Sequence, residues 1–204
     1  MIRNLRLPLN INIRALEKYS VLAANIIPQD FPERYNFIYE GFRQSLCSKQ
    51  CNEPYERMIS ECLGLVNLGT KHGWDALDRL EDPSEVYEYK PSSQKPYSPS
   101  GTINDDSLAK IEKCERLFGE GKKGWLVLVG VNKTTYTLDC IYKFPLHIYT
   151  EDRRSRLVDL IKSNKNKDKY LTRSMYPIHV KSSVEFCEML GEEYYVWTRT
   201  PVQD

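Results

Sequence analysis

The sequence has no apolar run long enough to cross a membrane. A spanning helix needs roughly 20 consecutive apolar residues, and polar or charged residues interrupt every run in these 204 residues before that length. Arg3, Arg6, Asn10 and Arg14 break up the region in which a signal peptide would place its apolar segment. We therefore expect a protein that stays in the cytoplasm, in a reducing environment and without a membrane partner.

The sequence also lacks an excess of charge of either sign. Its 29 Lys and Arg residues face 28 Asp and Glu residues, for a formal net charge of +1. This balance excludes a uniformly basic nucleic-acid coat and a polyanionic chaperone tail, but it allows acids and bases to gather in separate places. With 41% hydrophobic and 28% charged residues, residues 1–204 fit one ordinary globular domain.

Cysteine is sparse, with six residues in the chain. In a reducing compartment we expect these cysteines to be free thiols rather than disulfides. Cys47 and Cys51 suggest a zinc site that Cys62 and His72 would complete. Their spacing matches none of the common structural zinc motifs, so packing or surface cysteines are the favoured interpretation.

Residues 1–50 have a mostly helical pattern and are predicted to form a helical addition. One helix runs from about Leu16 to Pro28, and Phe31–Leu46 forms a second, with apolar residues at steps of three and four. Neither helix carries an evident reactive group.

Residues 54–131 are predicted to form the core of an α/β (α+β) fold, in which a mixed central sheet is flanked by helices. Pro54 suits the first turn of a helix that ends at Gly64, and Trp125–Val131 is apolar enough for a strand buried on both faces. An intervening helix makes this strand a parallel neighbour of an earlier one. The other elements expected here are strands over 65–68, 72–80 and 86–90, a loop over 91–101, and a helix that begins near Asn104 and ends at Gly119.

Residues 132–204 are predicted to form a C-terminal addition of strands and helices that contacts DNA or forms the dimer. These comprise a strand over 136–144, a helix over 153–162, a late strand over 176–180, and an acidic tail from Glu185.

The predicted hairpin GWDALD (73–78) and VYEYKP (86–91) concentrates acidic residues. Glu88 and Lys90 are two residues apart on a strand, so their side chains leave the same face. Either Asp75 or Asp78 can lie beside Glu88, depending on the register. Clustered carboxylates repel each other unless a cation neutralises them, and oxygen ligands suit Mg²⁺.

These residues make the chain resemble the PD-(D/E)xK nuclease superfamily, which includes many type II restriction endonucleases. The resemblance implies that Asp75, or else Asp78, binds the metal, and that Glu88-Tyr89-Lys90 is the (D/E)xK motif. Trp74 stands where the family has proline. A helical glutamate of the family corresponds to Glu56, with Glu61 as the alternative. The implied cofactor is Mg²⁺, with Mn²⁺ able to substitute.

Basic residues gather after residue 121. Residues 122–181 contain 13 Lys and Arg against 5 Asp and Glu, and positive charge with hydroxyl and amide donors suits contacts to DNA phosphates and base edges. The loop that leaves the active-site strand is a second candidate for DNA contact. The predicted DNA-contacting residues are Ser92, Ser93, Lys95, Arg153, Arg154, Lys165, Lys167 and Arg173.

The sequence therefore predicts a Mg²⁺-dependent double-stranded DNA endonuclease of the restriction type. Asp75 and Glu88 would hold the metal, Lys90 would assist the water, and Glu56 would support the water or a second ion. A homodimer is expected because two strands must be cut at related positions. A Holliday-junction resolvase and a non-catalytic DNA-binding protein are the alternatives. The sequence does not indicate whether a cognate methyltransferase exists.

Overall fold

A computed structural model of the chain describes residues 4–23, 52–69, 73–93, 99–103, 107–135, 137–151 and 176–199. The predicted helices over 31–46 and 153–162, and residues Cys47, Cys51 and His72, lie outside these ranges.

The described residues form four helices and nine strands. The helices are α1 (Ile13–Ala23), α2 (Glu53–Leu63), α3 (Ser107–Gly119) and α4 (Val180–Leu190). The strands are β1 (Arg6–Pro8), β2 (Val66–Asn67), β3 (Ala76–Leu77), β4 (Glu85–Ser92), β5 (Ser100–Ile103), β6 (Lys123–Asn132), β7 (Thr137–Pro145), β8 (Tyr176–His179) and β9 (Tyr194–Thr198).

Seven strands form a mixed sheet in the order β1-β9-β7-β6-β4-β3-β2. β4 and β6 are parallel and are connected through α3, which confirms the predicted crossover. β2, β3 and β4 pair antiparallel, as expected for the hairpin. β5 and β8 form a separate two-stranded sheet. The fold is thus mixed α/β, as predicted.

β6 is buried on both faces because its side chains alternate between two cores. Val127 and Val129 pack with apolar residues of α1 and α2. Leu126 and Leu128 point the other way and pack with residues of α3 and α4. The unbroken apolar run in the sequence is explained by this double coverage.

Helix α2 forms where the sequence predicts it. Pro54 occupies the first turn, and Gly64 ends the helix in the left-handed conformation with φ 69°. Tyr55, Met58, Ile59 and Cys62 are buried along one stripe. Cys62 is therefore part of the core, as expected for a packing thiol.

Several elements differ from the sequence prediction. β3 has only two residues, whereas a strand over 72–80 was expected, and β5 forms within a segment predicted mostly as loop. The late strand ends at His179 and continues directly into α4, which is followed by β9, where an acidic tail was expected. Two of these segments pair with strands that are distant in the chain, namely β5 with β8 and β9 with β1.

Among the described residues, none of the helices combines the length and the apolar character required to span a bilayer.

Candidate active site on the β3–β4 hairpin

Asp75 lies directly before β3 and is fixed to the neighbouring strand β4 by two hydrogen bonds. Its backbone N–H donates to the carbonyl oxygen of Tyr87 over 2.9 Å. Its carboxylate oxygen Oδ2 accepts a hydrogen bond from the Tyr89 backbone N–H over 2.5 Å. The Asp75 carboxylate thus lies against the part of β4 that carries Glu88.

Glu88 and Lys90 form a largely buried ion pair on β4. The Lys90 Nζ atom lies 2.8 Å from Glu88 Oε1, and the two side chains are 18% and 8% exposed, Lys90 being the more exposed of the two. Charges withdrawn from water in this way are costly to bury even when they are paired. A buried ion pair of this kind is weak evidence for stability, and it marks this part of β4 as a candidate functional site.

The surrounding carboxylates keep Lys90 in its charged form. Burial on its own would lower the pKa of Lys90, but the charges of Glu88, Asp75 and Glu56 outweigh it and raise the pKa. Lys90 therefore keeps its positive charge beside Glu88 and under the electrostatic influence of Asp75 and Glu56.

Glu56 lies in the first turn of α2 and belongs to the same electrostatic cluster. Burial, followed by the charge of Asp75, raises the pKa of Glu56 to about 7, with smaller contributions from Glu53 and Glu88. Lys90 acts in the opposite direction. The structure thus brings together Asp75, Glu88, Lys90 and Glu56, which come from a helix, the start of a hairpin strand and the middle of its partner strand. We call these four residues the acid–lysine cluster.

Glu61, the alternative to Glu56, points elsewhere. Its carboxylate accepts hydrogen bonds from Tyr19 Oη at 2.7 Å and from Lys18 Nζ at 3.1 Å, both on α1. Burial acts to raise the pKa of Glu61, but these two hydrogen bonds outweigh it and lower the pKa. Five residues along a helix correspond to a rotation of about 140°, which places Glu61 away from Glu56.

Asp78, the alternative to Asp75, is engaged with the hairpin turn. Its Oδ1 atom accepts hydrogen bonds from the backbone N–H groups of Ser84 at 3.1 Å and Glu85 at 3.0 Å. Its Oδ2 atom accepts one from the Ser84 hydroxyl at 2.7 Å. In this register Asp75 rather than Asp78 lies beside Glu88.

A buried polar contact that the sequence did not suggest connects α2 to β4. Ser60 Oγ lies 3.0 Å from Tyr89 Oη, and both residues are 1% exposed. Asn67 Nδ2 donates to Ser60 Oγ at 3.4 Å and to the Asp75 carbonyl oxygen at 3.5 Å. The sequence feature that could have predicted this contact is Ser60 itself, a polar residue among the apolar residues of the α2 stripe. Tyr89 is a core residue, as expected from the sequence.

Comparisons with known proteins give no match. No family model matches the chain, and the searches of curated proteins and of solved structures return no significant similarity.

The acid–lysine cluster has the donor chemistry of a Mg²⁺ site, although it is not a ready-made cage. Among the described residues, no group of three or more His, Cys, Asp and Glu side chains is arranged to hold a metal ion. Mg²⁺ is commonly bound through only one or two carboxylates, with water and substrate phosphates as the remaining ligands. Asp75 and Glu88 are two such carboxylates, and their charges contribute to the raised pKa of Glu56. A divalent cation would relieve this repulsion.

The predicted DNA-contacting residues are only partly described. Ser92 ends β4 two residues after Lys90, and Ser93 follows it in an exposed position. Both are therefore near the cluster in sequence. Lys95, Arg153, Arg154, Lys165, Lys167 and Arg173 lie outside the described residues.

Proposed function

We propose that the protein is a Mg²⁺-dependent DNA endonuclease of the PD-(D/E)xK superfamily, of the type II restriction kind. The observation that carries this proposal is that Asp75 is hydrogen-bonded to β4 on both sides of Glu88, and that Lys90 pairs with Glu88 at 2.8 Å. Glu56 interacts electrostatically with all three residues. Within the seven-stranded sheet and its helices, the order from α2 to β6 is helix, three strands, helix, strand, with β5 set aside in the separate two-stranded sheet. This order resembles that of the superfamily core, so residues 54–131 would be its restriction-endonuclease-like part.

Asp75 and Glu88 are the residues that would hold the metal ion. The backbone N–H of Tyr89 orients the Asp75 carboxylate, and Lys90 orients that of Glu88. A bound Mg²⁺ would supply an activated water and stabilise the charge that develops on a phosphodiester. Preorganised acidic side chains reduce the reorganisation needed when the substrate phosphate arrives.

Lys90 is proposed to place its ammonium group beside the phosphate that is cleaved. Its Nζ–H groups can donate to the attacking water and to a phosphoryl oxygen, and its positive charge opposes the negative charge that builds up during in-line attack. Glu56, in the same cluster, would accept a hydrogen bond from the water or support a second ion. Asp75 and Glu88 would thus hold the metal ion, Glu56 would help to orient the water, and Lys90 would neutralise charge on the phosphate.

We further propose that the enzyme acts in the cytoplasm as a homodimer, because cleavage of a duplex requires two active sites at related positions. Basic residues in 122–181, together with Ser92 and Ser93, would contact the DNA.

The proposal is tested by incubating the protein with phage-length duplex DNA and Mg²⁺ and separating the products on a gel. We expect discrete fragments from the wild-type protein. Lys90→Ala should lose cleavage by at least about 100-fold, the usual scale for a group that stabilises the transition state, while DNA binding is largely retained. Arg116→Ala is the control, because this exposed basic residue lies on α3, outside the segment proposed to contact DNA, and it should cut normally. Full cutting by Lys90→Ala would overturn the mechanism.

The same assay separates the alternatives. A junction resolvase would leave the linear duplex intact and cleave a four-way junction. A non-catalytic DNA-binding protein would cut neither substrate, and its calorimetric Mg²⁺ binding would not depend on Asp75 and Glu88.

A further inference from the structure

A cavity of about 400 Å³ lies between α1, α2 and the edge strand β2. This volume falls within the range of ligand sites, about 300–1,000 Å³. The polar side chains that line the cavity are those of Tyr19, Arg57, Ser60, Glu61 and Asn67. We call it the α2–β2 cavity.

The α2–β2 cavity adjoins the acid–lysine cluster through shared hydrogen bonds. Asn67, in its wall, donates from Nδ2 to the carbonyl oxygen of Asp75 at 3.5 Å. The next residue, Leu68, donates its backbone N–H to the same oxygen at 3.0 Å. The backbone of Asp75 therefore forms part of the boundary between the cavity and the cluster.

Helix α2 serves both sites with consecutive residues. Glu56 interacts electrostatically with Asp75 and Lys90, whereas Arg57, about 100° further around the helix, lines the α2–β2 cavity. The positive charge of Arg57 acts on the Tyr19 hydroxyl, where it opposes the rise in the pKa of that group. This interaction places the guanidinium charge near the cavity wall formed by α1.

The charged side chains that line the cavity are Arg57 and Glu61. Glu61 is already paired with Lys18, with 3.1 Å between Nζ and Oε2, and accepts a further hydrogen bond from Tyr19. The charge of Glu61 is therefore offset by Lys18, and Arg57 is the cation of the lining. A guanidinium group is well suited to bind phosphate oxygens through two parallel hydrogen bonds.

We propose that the α2–β2 cavity is a subsite for a backbone phosphate of the DNA strand being cut, with Arg57 as its principal ligand. The inference rests on the proposed function, since it assigns the neighbouring phosphate of the same substrate. Contact here would hold the strand on one side of the cluster while the cleaved phosphate lies against Asp75, Glu88 and Lys90. Arg57 is then a DNA-binding residue and takes no part in the chemical step.

The test measures binding of a fluorescein-labelled random-sequence duplex by anisotropy in EDTA, at several KCl concentrations. Each phosphate contact contributes about 0.9 to the slope of log K against log salt concentration. We expect Arg57→Gln to make the slope shallower by about 0.9 and to weaken binding at about 0.1 M salt by about eightfold. Arg57→Lys should retain most of the slope. Arg116→Gln, an exposed change on α3 across the sheet, is the control and should change neither value.

The outcomes distinguish this inference from the proposed function. If the wild-type protein binds the duplex and Arg57→Gln matches Arg116→Gln in slope and affinity, the subsite is wrong while the nuclease proposal stands. An equal loss in both variants would indicate a general charge effect and would also overturn the subsite. If the folded wild-type protein binds no DNA, the proposed function fails and the subsite with it.

Discussion

Glu56 lies in the first turn of α2, where burial and the Asp75 charge raise its pKa from 4.5 to about 7. In the unfolded chain the group ionises near its ordinary value. As the pH rises from about 4.5 to 7, the unfolded state therefore releases its proton first, and the free energy of unfolding falls over this range. We expect this loss to be about 1–2 kcal/mol, because solvent screens a partly exposed carboxyl. Urea unfolding at pH 5 and pH 8 measures it.

The Glu56→Gln variant should lack this dependence and gain about 1–2 kcal/mol over the wild-type protein between pH 5 and pH 8. Glu61→Gln is the matched control on the same helix. Hydrogen bonds from Tyr19 and Lys18 lower the pKa of Glu61 from its ordinary value of 4.5, so its contribution to stability is already present at pH 5. Glu61→Gln should therefore lower the free energy of unfolding by a similar amount at pH 5 and at pH 8. Parallel pH profiles for Glu56→Gln and the wild-type protein would contradict the coupling.

At the residue scale, the sequence predicts what depends on local periodicity. Glu88 and Lys90 share a face because strand side chains alternate, and the structure pairs them at 2.8 Å. The choice between Asp75 and Asp78 depends on hairpin register, which the charges alone do not determine. The choice between Glu56 and Glu61 is decided by contacts with α1, more than 40 positions away in the chain.

At the scale of elements, α2 is held against β4 by the buried contact between Ser60 and Tyr89. Ser60→Ala and Tyr89→Phe should each lower the free energy of unfolding by about 1–3 kcal/mol, because each leaves a buried partner less well satisfied. The double variant should cost little more than one single variant, giving a coupling energy of about 1 kcal/mol or more. Urea unfolding of all four proteins measures the cycle.

Ser182→Ala is the control for this cycle. The Ser182 hydroxyl donates to the carbonyl oxygen of His179 at 3.0 Å, but at an exposed position. Water replaces such a bond, so the change should cost less than about 0.5 kcal/mol. Additive losses for Ser60→Ala and Tyr89→Phe would show that the contact does not link the two elements.

An element could be predicted from the sequence where its pattern is local, and could not where it forms only by pairing with a strand distant in the chain. The α2 sequence contains a proline for the first turn, Pro54, an apolar stripe, and a glycine at which the helix ends, Gly64. The β6 sequence is an unbroken apolar run. β9 and β1 are short strands at opposite ends of the chain that pair with each other, so neither has a strong local pattern. α4 begins at Val180, directly after β8 ends at His179. No glycine or proline lies between them to mark the boundary in the sequence.

At the scale of the whole molecule, a net charge of +1 conceals an uneven distribution. Residues 1–121 contain 15 basic and 18 acidic residues, and residues 122–204 contain 14 basic and 10 acidic residues. The acid–lysine cluster lies in the first part, and the predicted DNA-contacting segment in the second. A near-neutral chain can thus offer one region to a cation and another to a polyanion.

The near-zero net charge allows a specific prediction of how Mg²⁺ changes the stability of the protein. Because the chain has little net charge to screen, Mg²⁺ should stabilise it mainly through the acid–lysine cluster. For a Kd on the order of 1 mM, about 10 mM Mg²⁺ adds about 1.4 kcal/mol to the free energy of unfolding, which corresponds to a rise in Tm of about 4 °C. Differential scanning fluorimetry at pH 8, with KCl at matched ionic strength as the reference, measures this shift.

The shift should disappear in Asp75→Asn and persist in Glu120→Gln, where the acid removed is an exposed partner of Lys122. The asparagine side chain introduced by Asp75→Asn keeps an oxygen that can accept the Tyr89 N–H, so the loss would reflect the missing charge rather than an unfolded hairpin. An equal Mg²⁺ shift in Asp75→Asn and the wild-type protein would place the cation elsewhere on the molecule and would remove the physical basis for Asp75 as its ligand.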